Sequence, residues 1–210
     1  EFIYASDATN EVYCVTHDGT EVAKYEDPDK GIAYPTLAPG GLLFCLLYEE
    51  GDDEQDEIVA LDAQTLQLRH RFGRGLLNGA QHLAVAGDEL YVCDNNNDRL
   101  QVFSFTGEHR RSLTGAWRRP WYLCSAKDRL YLIEEEYVRD EEEDEDDDPA
   151  APLQGRRILV LSLQGDVLQV VTHPSEPAVI FSSICCFDDT LLAGQRYIQA
   201  GRHAIAFQGL

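Results

Sequence analysis

Along this chain short apolar runs alternate with polar positions at period two, and each run is closed within a few residues by a turn signal. Between Asp88 and Leu113 the sequence reads DELYVCDNNNDRLQVFSFTGEHRRSL: an apolar run, a turn of Asn and Asp, a second run, a Thr-Gly turn and a third run. Period-two alternation puts successive side chains on opposite faces of a strand, and the clustered Asn, Asp and Gly end each strand. The same order recurs on either side. The turn after the middle run falls at Asp18-Gly19, Asp62-Ala63, Thr106-Gly107, Gln164-Gly165 and Gln208-Gly209, in steps of 44, 44, 58 and 44 residues. One acidic insertion accounts for the long step, so the period is about 44, the length of one four-stranded propeller blade.

The pattern predicts an all-β protein: a β-propeller of four-stranded antiparallel blades, with about five consecutive units near residues 1–27, 33–73, 80–114, 120–172 and 178–210. Each blade should carry strands a to d, running outward from the axis. Blade three is complete, with a at 81–86, b at 89–94, c at 100–105 and d at 109–113. The first unit supplies only b, c and d (2–5, 11–16 and 21–25), and the last only a, b and c, for 18 strands in all. Eighteen strands do not divide into blades of four. The missing strands are therefore expected from chain beyond both ends, within a ring of six blades, and the absence of Met and the strand-like opening Phe2-Ile3-Tyr4 also fit a segment of a longer protein.

The formal charge of -21 is concentrated in two places. Residues 49–57 hold seven acids, and residues 134–148 hold twelve acids and one base, Arg139. Removing these leaves 38 − 19 = 19 acids against 17 − 1 = 16 bases, so the body is close to neutral. Two solvated acidic loops argue against nucleic acid, whose phosphates attract stripes of Lys and Arg, and favour a protein or peptide partner of basic character. No apolar run is long enough to span a bilayer, so no membrane partner is expected.

Six cysteines (Cys14, Cys45, Cys93, Cys124, Cys185 and Cys186) lie inside apolar strands, none in a C-x-x-C pair. They read as small apolar groups buried at repeated blade positions, and reduced thiols imply a cytoplasmic compartment. No Ser-His-Asp setting, H-E-x-x-H or phosphate-cradling glycine loop is present, so no catalytic residue, metal or cofactor is assigned. His82 stands near the start of an a strand, where its counterparts in other blades are Tyr34, Tyr122 and Ser183. One imidazole makes a poor zinc site, and His82 reads as a lone polar group lining the central channel.

Blade three resembles an NHL repeat. Leu90-Tyr91-Val92-Cys93-Asp94, the turn Asn95-Asn96-Asn97-Asp98, then Arg99-Leu100-Gln101-Val102-Phe103 and Thr106-Gly107 follow that pattern position by position. Blade one keeps Tyr4-Ala5-Ser6-Asp7 and Asn10 but has Glu11 where the pattern places Arg. The resemblance implies a six-bladed ring of the NHL and TolB-like superfamily, with Asp94 and Arg99 as a bidentate pair bridging the b-to-c turn. The alternative for Asp94 with Asn95, Asn96 and Asn97 is a cation held through oxygen ligands. Propellers similar to this often serve as substrate-recognition domains of ubiquitin ligases.

In a propeller the b-to-c and d-to-a loops emerge on one face. Both acidic loops, the Asn turn, Gly73-Arg74 and the segment from Trp117 to Trp121 therefore share a face. Trp and Arg are enriched at interface hot spots, which makes Trp117, Arg118, Arg119, Trp121, Arg74 and Asn96 the binding candidates. The function expected is a non-catalytic protein-interaction propeller presenting this acidic, loop-bearing face. A propeller enzyme, either a lyase or a lactonase-like hydrolase, and a ubiquitin-ligase recognition domain are the alternatives.

Overall fold

The computed structural model describes residues 2–6, 9–49, 55–135, 155–173, 180–187, 190–197 and 201–208. These form five antiparallel sheets. Sheet one comprises β1 (Ile3–Ser6), β2 (Glu11–Val15) and β3 (Glu21–Glu26). Sheet two comprises β4 (Gly31–Ala38), β5 (Leu42–Tyr48), β6 (Glu57–Asp62) and β7 (Leu68–Phe72). Sheet three comprises β8 (Ala80–Ala86), β9 (Glu89–Asp94), β10 (Arg99–Ser104) and β11 (His109–Leu113). Sheet four comprises β12 (Pro120–Ala126), β13 (Arg129–Glu134), β14 (Arg157–Ser162) and β15 (Val167–Thr172), and sheet five β16 (Ile180–Phe187), β17 (Thr190–Tyr197) and β18 (Gly201–Gln208). The only helical turn among the described residues is a single 3-10 turn at Asn95–Asn97.

Burial explains why the period-two signal is clean in some strands and absent in others. The middle strands are sandwiched between neighbouring sheets, so β5, β6, β9 and β10 are buried on both faces and read as near-continuous apolar runs. The outer strands β7 and β15 are mostly exposed, and their polar residues, or the solvent-facing Leu168 and Val170, reflect that.

Four apolar clusters hold the array together, one between each successive pair of sheets. Val12, Cys14, Ile32, Leu43 and Val59 join sheets one and two, and Phe44, Leu46, Leu83, Val92 and Phe103 join two and three. Tyr91, Leu100, Leu123 and Leu132 join three and four, and Ile133, Ile158, Phe181 and Ile184 join four and five. Each such side chain taken from water contributes about 1.5–3 kcal/mol, so stability is distributed over nearest-neighbour interfaces.

The inner strands β4, β8, β12 and β16 lie next to one another in order. Each breaks register once near its start: between Ala33 and Thr36, Ala80 and Leu83, Pro120 and Tyr122, and Phe181 and Ser183. A bulge re-aims side chains. Here it recurs at one level of every inner strand.

Candidate interaction face and axial cluster

The b-to-c turn of sheet three is closed by residues that leave one strand and enter the next. Asp94 ends β9, Arg99 begins β10, and the two face each other in register. Arg99 Nε donates to Asp94 Oδ2 at 2.6 Å, and Gln101 Nε2 donates to the same oxygen at 3.1 Å. Oδ1 accepts the Asn78 amide at 2.8 Å and Asn97 Nδ2 at 3.0 Å. The contact is single and not the bidentate fork expected: Arg99 Nη2 goes to the Leu76 carbonyl at 3.1 Å, and Asp94 Oδ1 is taken by Asn78 and Asn97. Both oxygens of the buried Asp94 are thus taken by protein donors, and Asn95 gives its amide to the Pro120 carbonyl at 3.3 Å. The cluster closes a turn and ties down the preceding loop; its oxygens are not arranged to converge on a cation.

Sheet four carries the same clamp, which sequence reasoning missed. Glu134 ends β13 and Arg157 begins β14, with Arg157 Nε at 2.6 Å from Oε2 and Nη2 at 2.9 Å from Oε1. Arg157 Nη2 also reaches the Ala116 carbonyl at 3.0 Å, and Glu134 Oε1 accepts the Arg118 amide at 2.9 Å. Position by position, Leu76 and Asn78 of one d-to-a loop are matched by Ala116 and Arg118 of the next. The signal that could have found it is a carboxylate closing b and an arginine opening c. The insertion between them hid it.

In sheet two the charges are reversed. Glu57 opens β6 where sheets three and four have arginine, and the cations come from the loops around it: Lys30 Nζ lies 3.5 Å from Glu57, 3.3 Å from Glu49 and 2.6 Å from the Gln55 carbonyl, and Arg74 Nε lies 3.4 Å from Glu57. Asp56 Oδ2 accepts the Ala80 amide at 2.6 Å. Asp56, Glu57 and Glu134 are therefore buried ties and not solvated acids, which corrects the expectation for the ends of both acidic runs. The remainder of those runs, residues 50–54 and 136–154, lies outside the described residues. An open cleft of about 660 Å3, lined by Asn10, Asp29, Lys30, Tyr48 and Glu49 among others, separates sheets one and two on this face.

The segment before β12 is held along its backbone. Asp98 Oδ1 accepts the Arg119 amide at 2.7 Å, Glu134 accepts that of Arg118, and the Glu135 amide donates to the Arg119 carbonyl at 2.8 Å. Arg119 sits at φ +42°, a left-handed conformation that a non-glycine residue keeps only when its surroundings over-determine it. The guanidinium groups remain outward: Arg118 is 3.1 Å from Asp98, Arg119 pairs with Glu135, and both side chains are 54% exposed. Arg74 lies nearby in the chain's preceding d-to-a loop, donating to Gln55 Oε1 at 2.6 Å, with Leu76 exposed beside it. Leu76 was not singled out in the sequence. Asn96 bridges to Asn78 Oδ1 at 3.1 Å, and Trp121 is half-buried at the inner-strand bulge.

Trp117 is corrected. It is 2% exposed and packs in the cluster between sheets three and four, so it anchors blades and not a partner. A Cβ on Gly115 would lie 2.0 Å from the Trp117 ring, which accounts for the glycine there. The indole has no hydrogen-bond partner for Nε1.

At the axis, the bulged inner strands bring together Tyr34, His82 and Tyr122, three of the four positions that the repeat register aligns. The imidazole centroid lies 5.0 Å from the Tyr34 ring and 4.9 Å from Tyr122, with the tyrosines edge-on to each other at 6.4 Å. His82 is not a lone channel-lining group; it is packed between two rings, with Nδ1 buried and unpartnered. Desolvation holds its pKa down at about 4, so the ring is neutral at physiological pH. Ser183, the fourth aligned position, is exposed.

No family model matches the sequence, and no curated protein matches it. Solved structures do. A protein from Bacteroides caccae, described as of unknown function, superposes with a TM-score of 0.70 at 10% identity over 99% of this chain and 74% of its own. A nidogen/laminin complex gives 0.66 at 13% identity, covering 92% of this chain and 69% of that one. The WD40 propeller domain of Doa1 gives 0.64 at 16% identity, covering 92% and 57%. Five radially ordered antiparallel sheets and these neighbours make the chain a β-propeller.

Proposed function

We propose that this propeller is a non-catalytic interaction module of the NHL-like type that presents its b-to-c and d-to-a face to a basic or amphipathic peptide of a partner protein. The observation that carries the reading is the segment from Arg118 to Pro120: its backbone is tied by Asp98, Glu134 and Glu135 while its arginine side chains stay more than half exposed. A loop fixed before binding loses little entropy on binding, which is how a preorganised surface gains affinity. Trp121 and Leu76 supply apolar contact area on the same face, and Arg74, Arg118, Arg119 and Asn96 supply directional hydrogen bonds. The acids of residues 136–148 raise the local concentration of a cationic partner and speed its encounter.

The position-by-position match in blade three supports the NHL-like assignment, and with it a substrate-recognition role of the kind such propellers hold in ubiquitin ligases. Screening the purified protein against an array of basic amphipathic peptides tests the reading. Trp121→Ala with Arg118→Ala should weaken capture at least tenfold while leaving the thermal transition in place. Equal capture by this variant, with loss instead on changing Glu89 or Arg111 of the opposite face, would show that the working face is misassigned. A salt-dependent mobility shift with RNA should show no complex.

A further inference from the structure

The six thiols divide into two groups. Cys14, Cys45 and Cys93 are buried in the interfaces among sheets one to four, and burial pushes the Cys45 and Cys93 thiols well up from their ordinary value. Such groups are inert. Cys124, Cys185 and Cys186 are different: Cys124 and Cys186 are half-buried at the junction of sheets four and five, and Cys185 is exposed on β16 beside them.

Cys124 on β12 and Cys186 on β16 face each other across that junction with their sulfurs 3.1 Å apart. A disulfide bond is about 2.05 Å long, so the sulfurs are within about 1 Å of bonding distance. The pleat explains why these two meet. Cys124 and Cys185 occupy corresponding positions on neighbouring inner strands, since Cys124 pairs with Tyr131 and Cys185 with Leu192 two residues before each hairpin closes. Corresponding side chains point the same way around the ring, so Cys124 on sheet four points toward sheet five, and Cys185 on sheet five points away from sheet four. Cys186, one residue on, points back.

We propose that Cys124 and Cys186 form a thiol–disulfide exchange site that is oxidised by a small-molecule disulfide of the glutathione class and thereby joins the innermost strands of sheets four and five covalently. The Cys186 thiolate attacks one sulfur of the disulfide RS–SR; that S–S bond breaks, one RS⁻ leaves and takes a proton, and Cys186 carries a mixed disulfide. Cys124, losing its proton to water, then attacks Cys186 Sγ, and the second RS⁻ departs. Two protein thiols lose two electrons and two protons, and one RS–SR becomes two RSH. A hydrogen bond from the Cys124 thiol holds the Cys186 thiol below its ordinary value, which suits it to attack, and Cys124 is placed to resolve. The site stands apart from the loop-bearing face, so its test is independent of the function proposed there.

The test is to incubate the protein with oxidised glutathione, then alkylate in denaturant, which opens the buried Cys14, Cys45 and Cys93, and map the thiols under non-reducing conditions. Two of the six thiols should resist alkylation, the protein should lose about 2 Da, and dithiothreitol should restore both. Bridging a span of 62 residues should raise the apparent Tm by roughly 5–10 °C. Cys124→Ser should stop the reaction at a mixed disulfide on Cys186, with no rise in Tm. Because Cys185 and Cys186 are adjacent, the mapping is repeated in Cys185→Ser, which should still form the bridge. Modification confined to Cys185, a bridge between two molecules, or six alkylatable thiols after oxidation would each overturn the proposal.

Discussion

Sheets three and four close the same b-to-c turn with the same clamp around loops of very different length. In sheet three only residues 95–98 separate the carboxylate from its arginine, whereas in sheet four residues 135–156 intervene. Lengthening a flexible loop from 4 to 22 residues costs about 1.5 kcal/mol in closure entropy. A buried charge-assisted hydrogen bond contributes about 1.5–3 kcal/mol, so one arm of the Glu134–Arg157 fork offsets the insertion. The clamp uncouples what a blade carries on its face from whether the blade closes. Sheet three, with no insertion to hold, spreads its carboxylate over one charged donor, Arg99, and three neutral ones.

The strongest challenge to this pairing removes what packs the two sheets together. Trp117→Ala should lower stability by about 3–5 kcal/mol, measured by denaturant unfolding, because it empties a site in the cluster between them. A loss below about 1 kcal/mol would mean that the indole is a surface group after all.

The clamps themselves should then respond unequally. Arg157→Ala leaves the buried Glu134 with the Arg118 amide as its remaining donor among the described residues, and should cost about 3–5 kcal/mol. Arg99→Ala leaves Asp94 with Gln101, Asn97 and the Asn78 amide, and should cost about 1–3 kcal/mol. Equal losses in the two variants would contradict the account of why one clamp is bidentate and the other is not.

A smaller effect separates the face from the axis by pH. At a pH well above its ordinary value of 6.5, His82 is neutral in folded and unfolded chains alike and contributes nothing to pH dependence. As pH falls toward 4 the unfolded chain takes up the proton first, since the ring packed against Tyr34 and Tyr122 resists it, and stability is lost until both states are protonated. The difference between the parent and His82→Gln should therefore change by about 2–3 kcal/mol between pH 7 and pH 4. Parallel acid-unfolding curves would place the imidazole in contact with solvent.

The smallest expected change bears directly on the insertion. Deleting residues 140–148 should stabilise the fold by only about 0.5 kcal/mol, while slowing capture of a basic peptide and flattening its salt dependence. A larger shift in stability would show that the insertion takes part in closing the blade.

Much of the architecture was legible because strand length, turn chemistry and repeat period are local properties. Glu89–Asp94 and His109–Leu113 form strands as read, while β10 begins one residue early, at Arg99, because the clamp itself is in ladder register. The Asp94–Arg99 contact was legible for the same reason: five residues separate the partners. Its counterpart in sheet four was not, because 22 residues hide the register. Trp117 was misread because an aromatic between two arginines in a loop looks like an anchor, and nothing local says that the loop folds over the gap between two sheets.

Local chemistry, then, determined the elements, their order and the repeat, since hydrophobic period and turn residues act within a few positions of themselves. Which side chains meet across sheets was decided only when the blades stacked. Packing sets neighbouring sheets face to face around the axis, and that geometry put Tyr34, His82 and Tyr122 in one cluster of tilted rings, turned Cys186 toward Cys124, and buried Trp117, Asp56 and Glu134. None of these contacts is set by spacing along the chain. Each depends on which face of a strand the next blade covers.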